Sequence, residues 1–169
     1  MSEEIFGAVQ KLPVNGTKKQ VVLQCAPLLT GIKLSNLLNV RADQKEEVFR
    51  IFEGSPVCCR VLYEFQGRLS ILLYRPGMLA AYLEREDVKK MMTSFGYENS
   101  DLEETLNRIA DAYQDHMNGK RGFPHEIGLV LGYPPVDVEG FIEKEGRDFL
   151  YSGYWKVYGN LEDTLKTLE

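Results

Sequence analysis

Residues 57–75, VCCRVLYEFQGRLSILLYR, predict a β-hairpin, and this hairpin decides the fold class. Alternate apolar positions predict one face of a first strand, formed by Val57, Cys59, Val61, Tyr63 and Phe65. Gln66-Gly67 offers a two-residue turn with glycine in its second position. The return strand continues the pattern with Leu69, Ile71 and Leu73. The opposite faces are also largely apolar, which predicts helices on both sides of the sheet.

The rest of the chain reads mainly as helices, with one strand near each end. KKQVVLQC (18–25) is predicted to be a strand that stops before Pro27, and a short helix is predicted over residues 34–39. GYWKVYG (153–159) predicts a last strand. Helical spacing of apolar residues and capping signals predict further helices over residues 43–54, 75–84, 86–96, 100–119 and 160–169.

This order lacks the regular alternation of strand and helix that a parallel, doubly wound fold requires. The sequence therefore predicts an α+β fold: a small, mostly antiparallel sheet of about four strands, packed by several helices and followed by a C-terminal helical corner. A chain of 169 residues suits one domain, here residues 1–169. Residues 1–17 are expected to form a loose lead-in, because Pro13 and Asn15-Gly16 are turn signals.

Composition points to the cytoplasm. No apolar run approaches the roughly 20 residues that span a bilayer, so no membrane association is predicted. The N-terminal sequence MSEEIFGAVQKLP is acidic and lacks an apolar signal core, which argues against export. Cys25, Cys58 and Cys59 make an odd count with one adjacent pair, a poor disulfide framework. These features together predict a protein of the reducing cytosol.

The helical corner is predicted from FPHEIGLVLGYPPVDVEGFI (123–142), two short helices joined by Gly-Tyr-Pro-Pro. Pro124 and Pro135 stand at first helical positions, and Gly132 can end the first helix. Val138, Phe141 and Ile142 are predicted to form the buried face of the second helix. A DNA-binding helix-turn-helix has similar spacing. However, residues 135–145 contain four acidic residues against Lys144, a charge of −3, which argues against a nucleic-acid partner.

A longer phrase, FPHEIGLVLGYPPVDVEGFIEKEG (123–146) followed by GYWKVYG, resembles the bacterial domain-of-unknown-function family numbered 3793, common in Clostridia and related anaerobes. LQCAPLLTGIKLSNLL (23–38) and LLYRPGML (72–79) are similar to the same family. The resemblance extends over most of the chain and implies a cytosolic bacterial protein. It implies no activity and supplies no catalytic residues.

Candidate catalytic residues are Cys25, His125 and Glu126. Cys25 is a possible thiol nucleophile, and His125 begins a helix whose positive end favours a neutral, proton-accepting imidazole. Glu126 is a candidate to orient that base. A Cys–His pair would suit hydrolysis or acyl transfer. The opposing interpretation is a buried cysteine that acts as a small hydrophobic residue. His116 lies on the solvated side of a charged helix and is the poorer candidate.

Candidate binding residues are Arg75, Tyr154, Trp155 and Lys156. The aromatic segment GYWKVYG could form a recognition edge, with Arg75 beside it if the strands pair; packing is the other interpretation. No metal is predicted, because the chain lacks Cys-x-x-Cys and His-x-x-x-His, and the adjacent cysteines point to opposite faces of a strand. No cofactor is predicted, since no glycine-rich phosphate loop is present.

Three hypotheses follow. The first is a non-enzymatic binding or regulatory domain with an unknown protein or small-molecule partner, supported by an acidic C-terminal part suited to a basic partner. Residues 101–169 carry 7 Lys/Arg and 14 Asp/Glu, a charge of −7. The second is a cysteine-dependent hydrolase or acyl transferase using Cys25 and His125. The third is an atypical helix-turn-helix DNA-binding regulator.

Overall fold

The structure is a computed structural model that describes residues 16–98, 100–153 and 155–159. Its helices are α1 (Thr17–Leu29), α2 (Lys45–Phe52), α3 (Pro76–Leu83), α4 (Glu86–Ser94), α5 (Leu102–Met117), α6 (Ile127–Val130) and α7 (Pro135–Glu143). Its strands are β1 (Ser35–Arg41), β2 (Cys58–Phe65), β3 (Arg68–Tyr74), β4 (Tyr151–Ser152) and β5 (Lys156–Val157). Most of the predicted lead-in and the predicted helix over residues 160–169 lie outside the described residues.

The main sheet is antiparallel and has the order β1-β3-β2. β3 is central, so Tyr74 pairs with Ser35 on one side and with Cys58 on the other. β4 and β5 form a separate two-stranded sheet in which Tyr151 pairs with Val157. Helices and small antiparallel sheets make the fold α+β, and the predicted hairpin is confirmed as β2 and β3.

The hairpin turn has the backbone conformation that its two residues predict. Gln66 and Gly67 have φ angles of 47° and 73°, both in the left-handed region. Two consecutive positive φ angles match the twist of the flanking strands, which is why Asn-Gly and Asp-Gly dominate such turns. Gln66 is therefore held in a conformation that costs about 1 kcal/mol for an ordinary side chain.

Replacing Gln66 by asparagine should raise the free energy of unfolding by about 0.5–1 kcal/mol, because asparagine adopts the left-handed region more readily. Urea denaturation of the purified chain measures the change. Gln114→Asn is the matched control, since Gln114 lies inside α5, where asparagine is the weaker helix former. The explanation fails if Gln66→Asn brings no gain, or if Gln114→Asn brings the same gain.

The predicted alternation along β2 holds only as far as Val61. The register shifts between Val61 and Tyr63, so that Leu62 forms a β-bulge. Val61 therefore packs on the same side as Cys59, while Leu62 and Tyr63 both pack in the core on the other side. A bulge adds one residue without a clear sequence signal, so a strict period of two placed Tyr63 on the wrong face.

The secondary structure predicted for the two segments before the hairpin is wrong in both cases. KKQVVLQC is not a strand but part of α1, and of residues 34–39, predicted to be helical, residues 35–39 belong to β1. In α1 the buried residues recur at helical spacing as Thr17, Val21, Cys25 and Leu28. In β1 the buried Leu38 and Val40 alternate with the exposed Asn39. Pairing with β3 makes this segment a strand, which local sequence does not reveal.

Helices cover both faces of the main sheet, as predicted. One core packs α1 and α2 against one face and includes Ile71 and Leu73 of β3. The other core packs α3 to α7 against the opposite face and includes Leu72 and Tyr74. The helical corner is also present: Gly132 has a φ of 78°, and α7 begins at Pro135 as predicted, whereas α6 begins at Ile127, so Pro124 and His125 precede the helix that they were predicted to begin. Gly128 permits close packing, because a Cβ there would lie 3.0 Å from Val138 Cγ2.

Candidate functional site

Cys25 lies inside the core between α1 and the sheet. Its side chain is 0% exposed, and its sulfur accepts a hydrogen bond from Asn36 Nδ2 at 3.4 Å. Burial raises the pKa of the Cys25 thiol, and this effect exceeds the opposing effect of the Asn36 hydrogen bond. These surroundings are those of a structural cysteine, because a reactive thiol needs solvent access and a lowered pKa.

His125 lies on the other side of the molecule, just before α6. Its ring contacts Phe123 at 5.3 Å and Phe141 at 5.9 Å between centroids. The helices of this corner pack against the face of the sheet opposite to the one that covers Cys25. The structure therefore does not bring Cys25 and His125 together, and the sheet separates them.

Cys25 should be unreactive towards iodoacetamide in the folded protein. We expect its alkylation to be at least about 100-fold slower than that of the exposed Cys58, because both access and the thiolate are suppressed. Mass spectrometry of a time course measures both rates in one sample. In urea the two rates should converge. Rapid alkylation of native Cys25 would restore the nucleophile hypothesis.

Glu126 is buried, with 3% of its surface exposed. Its Oε1 accepts hydrogen bonds from the Tyr97 hydroxyl at 3.2 Å and from Arg121 Nη2 at 3.5 Å. Burial, and next the Glu126 carboxylate, raise the pKa of the Tyr97 hydroxyl, so Tyr97 remains a donor at neutral pH. These contacts tie the loop before α6 to the chain near α4. Glu126 is therefore occupied by structural contacts.

Arg75 holds the end of α1. Its Nε donates to the Leu28 carbonyl and its Nη2 to the Leu29 carbonyl, each at 2.9 Å. Both carbonyls lie in the last turn of α1, where the Leu28 carbonyl also accepts from the Gly31 amide at 3.1 Å, so the guanidinium caps the helix. The predicted neighbourhood of Arg75 and GYWKVYG required their strands to pair. Instead β3 pairs with β1 and β2, and β5 pairs with β4.

Trp155 is held against α7 by a buried carboxylate. Its Nε1 donates to Asp137 Oδ2 at 2.8 Å, and its ring stacks on Tyr133 at 5.2 Å. Asp137 is 2% exposed, and its Oδ1 also accepts from the backbone amides of Tyr158 at 2.8 Å and Gly159 at 3.0 Å. Asp137 thus fastens residues 155–159 to the helical corner. Tyr154 lies outside the described residues.

Lys156 and His125 contact the same aromatic ring, that of Phe141. The Lys156 ammonium lies 5.8 Å from the centre of the Phe141 ring and 4.9 Å from that of Phe149. The same ammonium donates to the Gly146 carbonyl at 2.6 Å. Because His125 also contacts Phe141, one predicted catalytic residue and one predicted binding residue belong to a single surface.

This surface, here called the ring strip, consists of His116, Phe123, His125, Phe141, Lys156 and Phe149. His116 extends it at one end, with its ring 5.3 Å from that of Phe123. Phe123, Phe141 and Phe149 are 45%, 37% and 42% exposed. Both histidines of the chain belong to the strip. No sequence pattern groups its three phenylalanines, and helical spacing wrongly predicts that Phe141 and Ile142 are buried, whereas both are 37% exposed.

His125 should make stability depend on pH. Burial lowers the pKa of His125, and the nearby Glu126 opposes this effect only in part. Below the usual histidine pKa the unfolded chain therefore binds the proton more readily than the folded chain. We expect the free energy of unfolding of wild type minus that of His125→Phe to fall from about pH 8 to about pH 5. Urea denaturation at each pH measures the difference. A constant or rising difference would contradict this assignment.

A shallow cleft of about 350 Å³ lies elsewhere, between α2 and the start of β2. It contains none of the predicted site residues, and Phe49, Phe52, Val57 and Cys59 form its apolar lining. Burial, more than the neighbouring thiols, raises the pKa of Cys59 to about 11. Cys59 is therefore a poor nucleophile in this cleft.

The described residues offer neither a metal-ion site nor a membrane-spanning helix. They contain no group of three or more His, Cys, Asp or Glu side chains placed to hold a metal ion. They also contain no helix with both the length and the apolar character needed to cross a membrane.

Comparison with known proteins identifies the family. Residues 21–169 match the model of the family described as Protein of unknown function (DUF3793). No curated protein matches the chain, and no solved structure does. The matched region includes α7 and the segments that carry His125 and Lys156. Because the match spans far more than half of the sequence, the chain belongs to the DUF3793 family.

Proposed function

We propose that the chain is a non-enzymatic binding domain and that a protein partner contacts it at the ring strip. The observation that carries this proposal is a row of three exposed phenylalanines linked by His125 and Lys156. Exposed aromatic rings gathered in one place are typical of protein interaction sites.

The distribution of exposed apolar side chains supports this location. Of the fourteen large hydrophobic residues that are exposed in the described part of the chain, six lie between residues 136 and 151. These six are Val136, Phe141, Ile142, Phe149, Leu150 and Tyr151. Phe123 lies close to Phe141 in space, because His125 contacts both rings. Isolated exposed apolar residues are ordinary, but such a concentration needs a reason.

The predicted catalytic residues support the non-enzymatic interpretation. Cys25 is sealed in one core, and His125 lies beyond the opposite face of the sheet. Glu126 and Arg75 make structural contacts. A nucleophile and its base need to lie within hydrogen-bond reach, so these residues do not form a catalytic pair.

Site-specific photocrosslinking tests the proposal. p-Benzoylphenylalanine is placed at position 123 or, as a matched control, at position 65, where an equally exposed phenylalanine ends β2. The labelled chains are irradiated in cells that naturally produce the protein. We expect a discrete protein adduct from position 123 and none from position 65. The same adducts from both positions, or from position 65 alone, would contradict the proposed surface.

A further inference from the structure

We infer that the partner of the ring strip is a basic protein segment, in which arginine or lysine side chains lie on the phenylalanine rings and an apolar side chain packs between them. This inference rests on the proposed function and specifies the chemistry of its partner. The inference is supported by cation–ring contacts within the strip and by the charges around it.

The strip already binds a cation within the protein. Lys156 lies over two of its phenylalanines, Phe141 and Phe149. The faces of aromatic rings are electron-rich, so they attract ammonium and guanidinium groups as well as apolar groups. Because Phe123, Phe141 and Phe149 remain more than a third exposed, ring surface is left for cations of a partner.

The chain segment that surrounds Phe141 is acidic, and its Gly146, next to Glu145, lies beside the Phe141 ring: a Cβ at Gly146 would be 3.0 Å from Phe141 Cε2. Residues 139–148 carry four exposed carboxylates against two exposed cations, a charge of −2; the carboxylates are Glu139, Glu143, Glu145 and Asp148, and the cations Lys144 and Arg147. Within the described parts of the chain, no ion pair within 4.0 Å includes any of these carboxylates. They therefore remain available to a basic partner.

The cations near the other end of the strip are already paired. Lys120 lies 3.4 Å from the Asp115 carboxylate, and Arg121 lies 3.5 Å from the Glu126 carboxylate. Lys144 is also engaged, because its ammonium lies 5.5 Å from the centre of the Tyr158 ring. An acidic partner would be repelled by the carboxylates near Phe141, and few unpaired cations would be available to bind it.

A basic partner should bind less tightly in acid. Protonation of His125 adds positive charge between Phe123 and Phe141, the two rings that His125 contacts. The other charged groups around His125 are Glu126, Arg121 and Lys156; Glu126 and Arg121 are paired with each other, and Lys156 shares the Phe141 ring with His125. Cations of the partner would therefore be repelled once His125 is protonated.

Selection from a displayed library of random peptides about 12 residues long tests the inference. The full chain is the bait, and Phe141→Ala removes peptides that bind elsewhere. We expect the recovered peptides to be enriched in arginine or lysine and to contain an apolar side chain. For a synthetic peptide of this kind, Glu145→Gln combined with Asp148→Asn should raise Kd about 3- to 10-fold, since these carboxylates flank Gly146 and Phe149. Glu46→Gln, an exposed site on α2, is the matched control and should leave Kd unchanged.

The possible outcomes separate the inference from the proposed function. Kd should also rise as the pH falls below about 6.5, since burial lowers the pKa of His125, and this rise should be smaller in His125→Phe. Acidic or uncharged peptides that still require Phe141 would overturn the inferred partner and leave the ring strip as a binding surface. If no selected peptide requires Phe141, both the inference and the proposed surface are wrong.

Discussion

Replacing Asp137 by alanine should lower the free energy of unfolding by about 3–4 kcal/mol. The carboxylate is 2% exposed and accepts three hydrogen bonds, from the Trp155 indole and from the backbone amides of Tyr158 and Gly159. Alanine leaves all three donors without this partner, and an unsatisfied buried donor costs about 1–3 kcal/mol. Urea denaturation followed by circular dichroism measures the loss. Fluorescence of Trp155, the single tryptophan, reports whether its segment stays in place.

Two control variants show whether the carboxylate itself is responsible. Asp137→Asn keeps the shape and one acceptor oxygen, so its loss should be about half as large. Asp148→Asn removes the charge of an exposed carboxylate, keeps a side chain that tolerates the φ of 50° at this position, and should change stability by less than about 0.5 kcal/mol. If the free energy of unfolding of Asp137→Ala lies within about 1 kcal/mol of the wild-type value, the anchoring role assigned to Asp137 is wrong.

Replacing Gly140 by alanine should lower the free energy of unfolding by about 2 kcal/mol, although alanine is ordinarily the better helix former. A Cβ at position 140 would lie 2.6 Å from Tyr158 Cγ and closer still to Tyr158 Cβ. Tyr158 Cβ is fixed to its own backbone, so relief requires movement of the segment that Asp137 holds. The Trp155 emission of this variant should therefore shift in the folded state. Urea denaturation followed by circular dichroism gives the stability.

Gly77→Ala is the matched control for this prediction. Gly77 also lies in a helix, α3, but a Cβ there would meet no atom within 4 Å. The substitution should therefore be neutral or raise the free energy of unfolding by up to about 1 kcal/mol. The close approach of α7 to Tyr158 would be refuted if both variants gained stability.

The sequence predicts those parts of the fold that local interactions determine. The hairpin follows from its turn residues and its flanking apolar strands, and the helical corner follows from its prolines and glycines. The segments of α1 and β1 show the limit of local sequence patterns, because the first was predicted to be a strand and the second a helix. Consecutive valines in KKQVVLQC favour a strand locally, whereas the longer repeat from Thr17 to Leu28 buries one face of a helix. Only the pairing of β1 with β3 decides the next segment.

The candidate site was harder to predict, because contacts between distant segments create it. His125 and Lys156 were chosen for their chemistry, and both lie on the ring strip. Phe141 joins them, yet its helical spacing with Val138 indicated burial. Cys25 and His125 form a hypothetical pair because a thiol can act as a nucleophile and an imidazole as its base. The sequence, however, gives no distance between residues one hundred positions apart. Asp137 carries no sequence signal beyond its place in the first turn of a helix, where an acidic residue is ordinary.

The central claim is that the ring strip is the binding surface of this domain. Titration calorimetry of the protein captured through position 123 against the purified wild-type chain, Phe141→Ala and Phe65→Ala tests it most directly. Loss of a central aromatic contact typically costs 2 kcal/mol or more, so Phe141→Ala should raise Kd by at least about 10-fold. Phe65→Ala should leave Kd within about 2-fold of wild type. Equal Kd values for wild type and Phe141→Ala, with both chains folded by circular dichroism, would contradict the claim.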